Sequence, residues 1–148
     1  MRTNKAGQDL IKYWEKLRLD AYHCSAGVCT IGWGSTSYTD GSPIKIGDKI
    51  NEQTAQDLFE YHVKKCEDSV SSVIMIPVTD NEFSAMVSLC YNIGTSAFKK
   101  STLVKLLNSK SSKEDVAYQI LLWNKSKGKV LNGLSKRRKD EHDLFLKQ

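Results

Sequence analysis

The chain has 148 residues, of which 40% are hydrophobic and 26% are charged, and these proportions are typical of a soluble globular protein. A domain of this length buries enough surface to fold without a disulfide or metal framework. The net charge of +5 favours encounter with polyanions, but it does not distinguish nucleic acid from cell-wall polymers. No apolar run reaches the length of a membrane span or of a signal-peptide core. We therefore expect a chain that starts in a cytoplasm, with its cysteines reduced.

The first predicted element is an amphipathic helix that begins behind Thr3 and Asn4 and ends near Arg18. Glu15 falls in its last turn, where the helix dipole and a desolvating cleft wall both favour the protonated carboxylic acid. The apolar residues of this helix recur at intervals of three or four, as one buried face requires: they are Ala6, Leu10, Ile11, Trp14 and Leu17.

The segment from Tyr22 to Ile50 changes from helical periodicity to strand formers separated by glycines. Asp40-Gly41 is a typical hairpin-turn pair. We predict a small antiparallel sheet of two or three strands. The strand formers are Val28, Thr30, Ile31 and Trp33, and the glycines between and around them are Gly27, Gly32 and Gly34.

The rest of the chain is predicted to be helical. A long helix follows Asn51 and stops before Pro77. Thr79 and Glu82 form a capping box for the next helix, which ends around Gly94. Shorter helices are expected to begin at Ser101, at Ser111 or Ser112, and at about Leu134, the last of them ending at about Leu146.

This element order predicts an α+β fold in one domain, residues 1–148, with the strands segregated at one end. We expect a sheet lobe over about 15–60. The helical lobe would combine about 61–148 with the N-terminal helix. The long helix would join the two lobes, and the cleft between them would be a usual place for a ligand site.

The four cysteines and three histidines show no recognisable zinc-binding spacing, and no metal or cofactor is expected. Cys66 and Cys90 lie on the apolar stripes of predicted helices, where free cysteine packs as a small hydrophobe. His23 is adjacent to Cys24, and neighbouring strand residues point to opposite faces, so we do not expect a Cys-His dyad there unless a turn intervenes.

Three blocks of the sequence resemble the phage-type lysozyme (endolysin) family. In the first, Glu15 is followed after eight residues by Cys24 and after five more by Thr30, on a glycine-rich hairpin. The family has aspartate, or sometimes cysteine, at the second position. The second block runs from Ser84 through Tyr91, Asn92 and Gly94 to Leu103, and the third runs from Gly133 to Phe145. The resemblance covers nearly the whole chain in order.

The resemblance implies a lysozyme-like fold and hydrolysis of the β-1,4 bond between N-acetylmuramic acid and N-acetylglucosamine in bacterial peptidoglycan. Glycoside hydrolysis needs a protonated carboxylic acid at the leaving oxygen, and Glu15 is the candidate general acid. Family members with aspartate at the second position are understood as inverting enzymes. Cys24 would therefore activate the attacking water, although a neutral thiol is a weaker base than a carboxylate. Thr30 would orient that water through its hydroxyl, and Asp20 is a fallback second carboxylate.

Three further residues are candidates for binding the sugar. Asn92 would donate or accept a hydrogen bond, as the family resemblance implies. Tyr91 and Trp33 would stack on sugar rings, although aromatic residues on a helix or hairpin often belong to the core. We also expect Arg137 or Arg138 to organise the site by pairing with Glu15, without choosing between them.

Other functions remain open at this point. A lytic transglycosylase would use one glutamate, and Cys24 would be incidental. A catalytically silent peptidoglycan-binding module would explain the replacement of aspartate by cysteine as decay, but Glu15 and Thr30 argue against it. A thiol peptidase built on Cys24 would explain neither the glutamate nor the hairpin.

The expected biological role is lysis of a bacterial host. The protein would accumulate in the host cytoplasm as a monomer, bind no nucleic acid, insert in no membrane, and need a membrane-permeabilising protein to reach the wall. Oxidation of Cys24 would silence it. Cys29 would face Cys24 in a hairpin that turns at Ala26-Gly27, but not in one that Cys24 itself opens.

Overall fold

The computed structural model describes residues 1–148 and contains seven helices and two two-stranded antiparallel sheets, which confirms the predicted α+β class. The helices are α1 (Lys5–Glu15), α2 (Glu52–Val73), α3 (Asp80–Ile93), α4 (Thr95–Lys99), α5 (Thr102–Asn108), α6 (Lys113–Leu121) and α7 (Asn132–Leu146). The strands are β1 (Arg18–His23), β2 (Cys29–Gly32), β3 (Lys125–Ser126) and β4 (Lys129–Val130). None of the helices combines the length and the apolar composition needed to cross a lipid bilayer.

The chain divides into two compact units. The sheet unit is Ile11–Lys65, and the helical unit combines Met1–Leu10 with Cys66–Gln148. The core of the sheet unit is formed by three buried aliphatic residues, Ile31, Ile44 and Leu58, with Ala21, Cys29, Tyr38 and Ile50 packed against them.

Helix α3 is the central element of the helical unit. Its residues from Glu82 to Cys90 are all buried, and α7 packs against it. The predicted capping box is present, because the Thr79 hydroxyl accepts the Glu82 amide at 3.1 Å and the Glu82 carboxylate accepts the Thr79 amide at 2.7 Å. This box satisfies two amide donors that the first turn of a helix otherwise leaves unpaired.

Helix α1 ends three residues earlier than its apolar spacing predicts. Lys16 adopts the left-handed conformation, with φ of 61°, which ends the helix immediately after Glu15. The chain then enters β1 at Arg18, so the sheet begins before Tyr22. Two elements have no counterpart in the predicted order: the five-residue helix α4, and the short hairpin of β3 and β4.

The buried cysteines pack as predicted. Cys66 and Cys90 are 6% and 0% exposed, and their thiols form a hydrogen bond with each other. That bond, together with burial, raises the pKa of the Cys66 thiol above its ordinary value. All four cysteines are free.

Candidate active site

Glu15 is the last residue of α1, and its side chain is partly buried. Its carboxylate lies directly against Gly34 in the glycine-rich segment after β2, because a Cβ atom built on Gly34 would overlap Glu15 Oε1 and come within 3.0 Å of Cδ. Gly34 also has φ of +79°, a conformation that other residues adopt at a cost. Glycine at this position therefore provides both the backbone conformation and the space that the glutamate occupies.

The hairpin of β1 and β2 places Cys24 at the start of its turn. Tyr22 pairs with Thr30 and His23 pairs with Cys29. The Cys24 amide donates to the Val28 carbonyl at 2.9 Å, and the Gly27 amide donates to the Cys24 carbonyl at 2.8 Å. Cys24 therefore opens the turn, so Cys29 faces His23 and not Cys24. This register removes the hairpin pairing that would favour a Cys24–Cys29 disulfide.

A hydrogen-bonding environment surrounds the Cys24 sulfur. The backbone amide of Val28 donates to it, the Ala26 amide and the Thr30 hydroxyl also interact with it, and together these bonds lower the pKa of the thiol below its ordinary value. Hydrogen bonds to the charged form favour ionisation. The partly buried Cys24 is therefore more readily ionised than a cysteine in water.

Thr30 is 3% exposed, and its hydroxyl reaches two acceptors. It donates to the Val28 carbonyl at 3.0 Å, and it also lies within hydrogen-bonding reach of the Cys24 sulfur. A hydroxyl carries one proton. It can therefore donate to the carbonyl while Cys24 is a neutral thiol and to the sulfur when Cys24 is a thiolate.

Tyr22 connects the glutamate with the hairpin. Burial raises the pKa of the Tyr22 phenol, and the negative charge of Glu15 raises it further, so Glu15 acts electrostatically on this strand. Tyr22 pairs across the hairpin with Thr30, whose hydroxyl reaches Cys24. All three residues of the predicted Glu-Cys-Thr pattern thus belong to one compact unit.

Trp33 has aromatic and cationic neighbours. Lys12 Nζ lies 4.3 Å from the Trp33 ring centroid, and Phe59 contacts the ring edge at 5.7 Å between centroids. The Lys12 ammonium also bonds Gln56 at 2.6 Å. These contacts fix the partly buried indole, and its role in stacking on sugar stays a prediction.

Asn92 is exposed near the end of α3. Its Oδ1 accepts a hydrogen bond from Arg138 Nη2 at 2.8 Å, so its amide NH₂ group is the end directed away from Arg138. Arg138 also donates to the Trp123 carbonyl at 3.2 Å. The neighbouring Tyr91 is partly buried, and its proposed stacking stays a prediction.

Arg137 and Arg138 converge on one buried carboxylate. Arg138 Nε lies 2.7 Å from Glu141 Oε1, and Arg137 Nε lies 3.2 Å from Glu141 Oε2. The Ser88 hydroxyl donates to the same carboxylate. Both arginines therefore have a structural role in the helical unit, and the expected pairing of one of them with Glu15 stays a prediction.

Asp20, the fallback carboxylate, lies on an exposed part of β1, 3.9 Å from Lys49 Nζ.

Two contributors to the site were not among the site residues that the sequence predicts. The sequence pattern marks Gly34 only as an interruption of strands, although two glycines flanking Trp33 could have indicated a close backbone approach. The Val28 amide has no signal in the sequence, because a backbone donor depends on the hairpin register.

This fold is that of a lysozyme-like glycoside hydrolase, and it holds Glu15, Cys24 and Thr30 in one unit. The phage lysozyme family profile matches residues 12–141. The endolysin of Salmonella phage P22 is 37% identical over 99% of each chain. The endolysin of Bacillus phage B103 is 40% identical over 99% of this chain, which spans 54% of that longer protein. The chain therefore belongs to the phage lysozyme family, as a phage-type endolysin.

Solved structures agree with this assignment. The endolysin from Escherichia coli O157:H7 phage FAHEc1 has a TM-score of 0.89 and 41% identity, over 99% of this chain and 94% of that one. The muramidase domain of SpmX from Asticaccaulis excentricus has a TM-score of 0.87 and 30% identity, over 99% of each chain. The predicted lysozyme-like fold is thus confirmed.

Proposed function

We propose that this peptidoglycan-hydrolysing lysozyme cleaves the β-1,4 bond between N-acetylmuramic acid and N-acetylglucosamine with inversion. Glu15 is the general acid, Cys24 the general base, and Thr30 the residue that orients water. The observation that carries this proposal is the environment of the Cys24 sulfur, where the Val28 amide donates and the Thr30 hydroxyl lies within reach, so that the pKa of the thiol is lowered.

Glu15 has the position that the acid requires. It is the last residue of α1, its side chain is partly exposed, and its carboxylate lies against Gly34. Protonated Glu15 would donate to the leaving glycosidic oxygen as the bond to the anomeric carbon breaks. Its carboxylate would then regain a proton from solvent.

Cys24 would accept the proton of the attacking water as the oxygen of that water bonds to the anomeric carbon. A thiol can accept a proton only as a thiolate, and the lowered pKa of Cys24 increases the thiolate fraction near neutral pH. The Thr30 hydroxyl, already within reach of the sulfur, would hold the same water.

The orientation of the Asn92 side-chain amide supports a role for this residue in binding sugar. Since Arg138 occupies Oδ1, the NH₂ group of this exposed residue is the part that can donate to a sugar hydroxyl or N-acetyl oxygen. Tyr91 and Trp33 complete the proposed binding set through their aromatic surfaces.

At the level of the whole protein, the proposal is lysis of the bacterial host. The chain would act as a monomer, accumulate in the host cytoplasm, and reach the wall after another protein permeabilises the membrane. The net charge of +5 would favour its encounter with the anionic wall.

The reaction is tested by mass analysis and NMR of the sugars released from purified peptidoglycan. Hydrolysis with inversion gives reducing muramic ends that are first formed as the α-anomer. Predominant anhydro-muramic ends would instead establish a transglycosylase, and intact glycan with cut peptides would establish a peptidase.

The acid is tested by Glu15→Gln. An amide cannot donate the proton, so turnover should fall at least about a hundredfold with an unchanged melting temperature. Glu114→Gln, which changes an exposed glutamate of α6, is the matched control and should retain full activity. A Glu15→Gln enzyme within threefold of wild type would refute the assignment.

A further inference from the structure

A lysine-rich hairpin projects from the helical unit between α6 and α7. β3 and β4 pair antiparallel, Lys125 with Val130 and Ser126 with Lys129. Every residue of the run 125–133 is exposed. We call residues 125–131 the lysine hairpin. It contributes nothing to the buried core, so packing does not account for its composition.

The charge around this hairpin has one sign. The 24 residues from 116 to 139 include seven lysines or arginines and no aspartate or glutamate. Arg137 and Arg138 are buried and share the single carboxylate of Glu141, so they present little charge at the surface, and Lys139 pairs with Asp143 at 2.8 Å. The positive charge that remains is concentrated on the three lysines of the hairpin and on Lys136.

Exposed aliphatic side chains lie beside these lysines. Val130 and Leu131 are 59% and 42% exposed, and Leu122, just before the hairpin, is 51% exposed. Paired residues of an antiparallel ribbon share a face, so Val130 lies on the face of Lys125. Leu131 follows Lys129 by two residues, and residues two apart in a strand lie on the same face, so Leu131 shares the face of Lys129. Each face of the hairpin therefore carries one lysine and one aliphatic residue.

The tip of the hairpin places a lysine where the backbone disfavours it. Lys127 has φ of 52° and Gly128 has φ of 78°, the pattern of a type I′ turn, in which asparagine or glycine is preferred at the first central position. The turn therefore gains no stability from lysine there, which is consistent with a role for its charge outside the fold.

The base of the hairpin is fixed to the protein. The Leu131 amide donates to the Asn124 carbonyl at 2.9 Å, the Asn124 side chain donates to the Ser135 hydroxyl at 3.2 Å, and Arg138 donates to the Trp123 carbonyl at 3.2 Å. The tip is therefore presented on a rigid base.

We propose that the lysine hairpin docks on the surface of an anionic phospholipid bilayer. Its lysines pair with lipid phosphates, and Leu131, on the face of Lys129, enters the boundary between headgroups and acyl chains. Lysines near an anionic surface supply electrostatic attraction, and adjacent apolar side chains supply interfacial burial. The exposed aliphatic residues favour a bilayer over an anionic wall polymer, since phosphate groups along a polymer need only the lysines. The contact is peripheral and independent of glycan cleavage.

The test is co-sedimentation of the full chain with vesicles of equal parts phosphatidylglycerol and phosphatidylcholine, against vesicles of phosphatidylcholine alone. Replacing Lys125, Lys127 and Lys129 together by glutamine should lower the affinity for anionic vesicles about a hundredfold, at about fivefold per lysine. The control replaces three exposed lysines elsewhere in the helical unit, Lys100, Lys105 and Lys110, and should lower it much less. Equal losses in the two variants, or no binding by wild type, would overturn the proposal.

Two single changes distinguish bilayer docking from an effect on folding and from binding to a polymer. Lys127→Asn suits the turn better, so it should keep or raise the melting temperature while lowering vesicle affinity about fivefold; unchanged affinity would count against a role for the tip. Replacing Leu131 by serine should weaken binding to vesicles but not to soluble polyphosphate. If Leu131→Ser leaves vesicle binding unchanged, the surface recognises anionic polymers and the bilayer assignment is wrong.

Discussion

Each of the two units of this molecule contains a glutamate, and the two side chains have opposite environments. In the helical unit, Glu141 is 0% exposed, and two guanidinium groups and the Ser88 hydroxyl surround it. In the sheet unit, Glu15 ends a helix, remains partly exposed, and faces a glycine. A buried charge is tolerated when its partners satisfy it. A carboxylic acid that must meet a substrate has to stay accessible. The comparison contrasts a fully buried carboxylate of the helical core with the partly exposed carboxylate that we propose as the acid.

The structural side of this comparison is tested most strongly by Glu141→Gln. Removing the charge breaks the buried ion pairs of Glu141 with Arg137 and Arg138, and breaking a buried pair in this way costs about 3–5 kcal/mol. Urea unfolding followed by tryptophan fluorescence measures the loss. The control Asp143→Asn breaks the exposed pair with Lys139 and should cost at most about 1 kcal/mol. Similar losses in the two variants would show that burial does not distinguish these carboxylates.

The chemical side is tested at Cys24. If its thiolate is the base, Cys24→Ala should lower turnover about a hundredfold with little change in stability. Wild-type activity should rise with pH through the Cys24 pKa, which lies below the ordinary thiol value. Cys24→Asp should move that rise toward pH about 4, because a carboxylate ionises there. Turnover measured from acid to neutral pH checks both. Full activity of Cys24→Ala would mean that the thiol is structural.

A smaller effect is expected at the glycine beside Glu15. Gly34→Ala places a methyl group on the Glu15 carboxylate in a left-handed conformation that costs about 1–2 kcal/mol for an L-residue. We expect lower stability and about a tenfold loss of turnover, because the acid is displaced. Gly41→Ala is the control, since Gly41 has a similar φ of +88° and open space around it; it should lose stability alone. Normal turnover in Gly34→Ala would show that Gly34 does not contribute to positioning the acid.

The smallest effect concerns a cap in the helical unit. Thr79→Ala removes one half of the capping box at the start of α3 and should cost about 1 kcal/mol without changing turnover. Thermal unfolding measures it, and Thr102→Ala at an exposed position of α5 is the control. A change in turnover from Thr79→Ala would show that this cap in the helical unit also affects the reaction, contrary to the prediction.

The sequence predicts the helices of this fold well because their signals are local. Thr79 and Glu82 define a cap, Pro77 ends a helix, and Ser112 begins one, and each signal acts within one helical turn. Helix α4 is too short for periodicity to appear, and it follows Gly94, which by itself indicates a helix end. The lysine hairpin lacks the apolar-polar alternation that predicts strands.

For the site, the order Glu15, Cys24 and Thr30 could be predicted, but the contacts of the sulfur could not. They depend on Cys24 opening the turn, since a shift of one residue would turn every side chain of that strand to the other face. The left-handed conformation of Lys16, which ends α1 at Glu15, is equally invisible, because lysine does not usually favour it.

The placement of the cysteines also determines how this protein ages in storage. Cys24 and Cys29 are partly exposed on the hairpin, whereas Cys66 and Cys90 are buried. Dissolved oxidants and peroxides reach accessible, readily ionised thiols first, and Cys24 is both. Chemical damage to a preparation would therefore begin at the proposed active site while the core remains intact. An old sample would keep its melting temperature after its turnover has declined, so thermal unfolding alone would not reveal the damage.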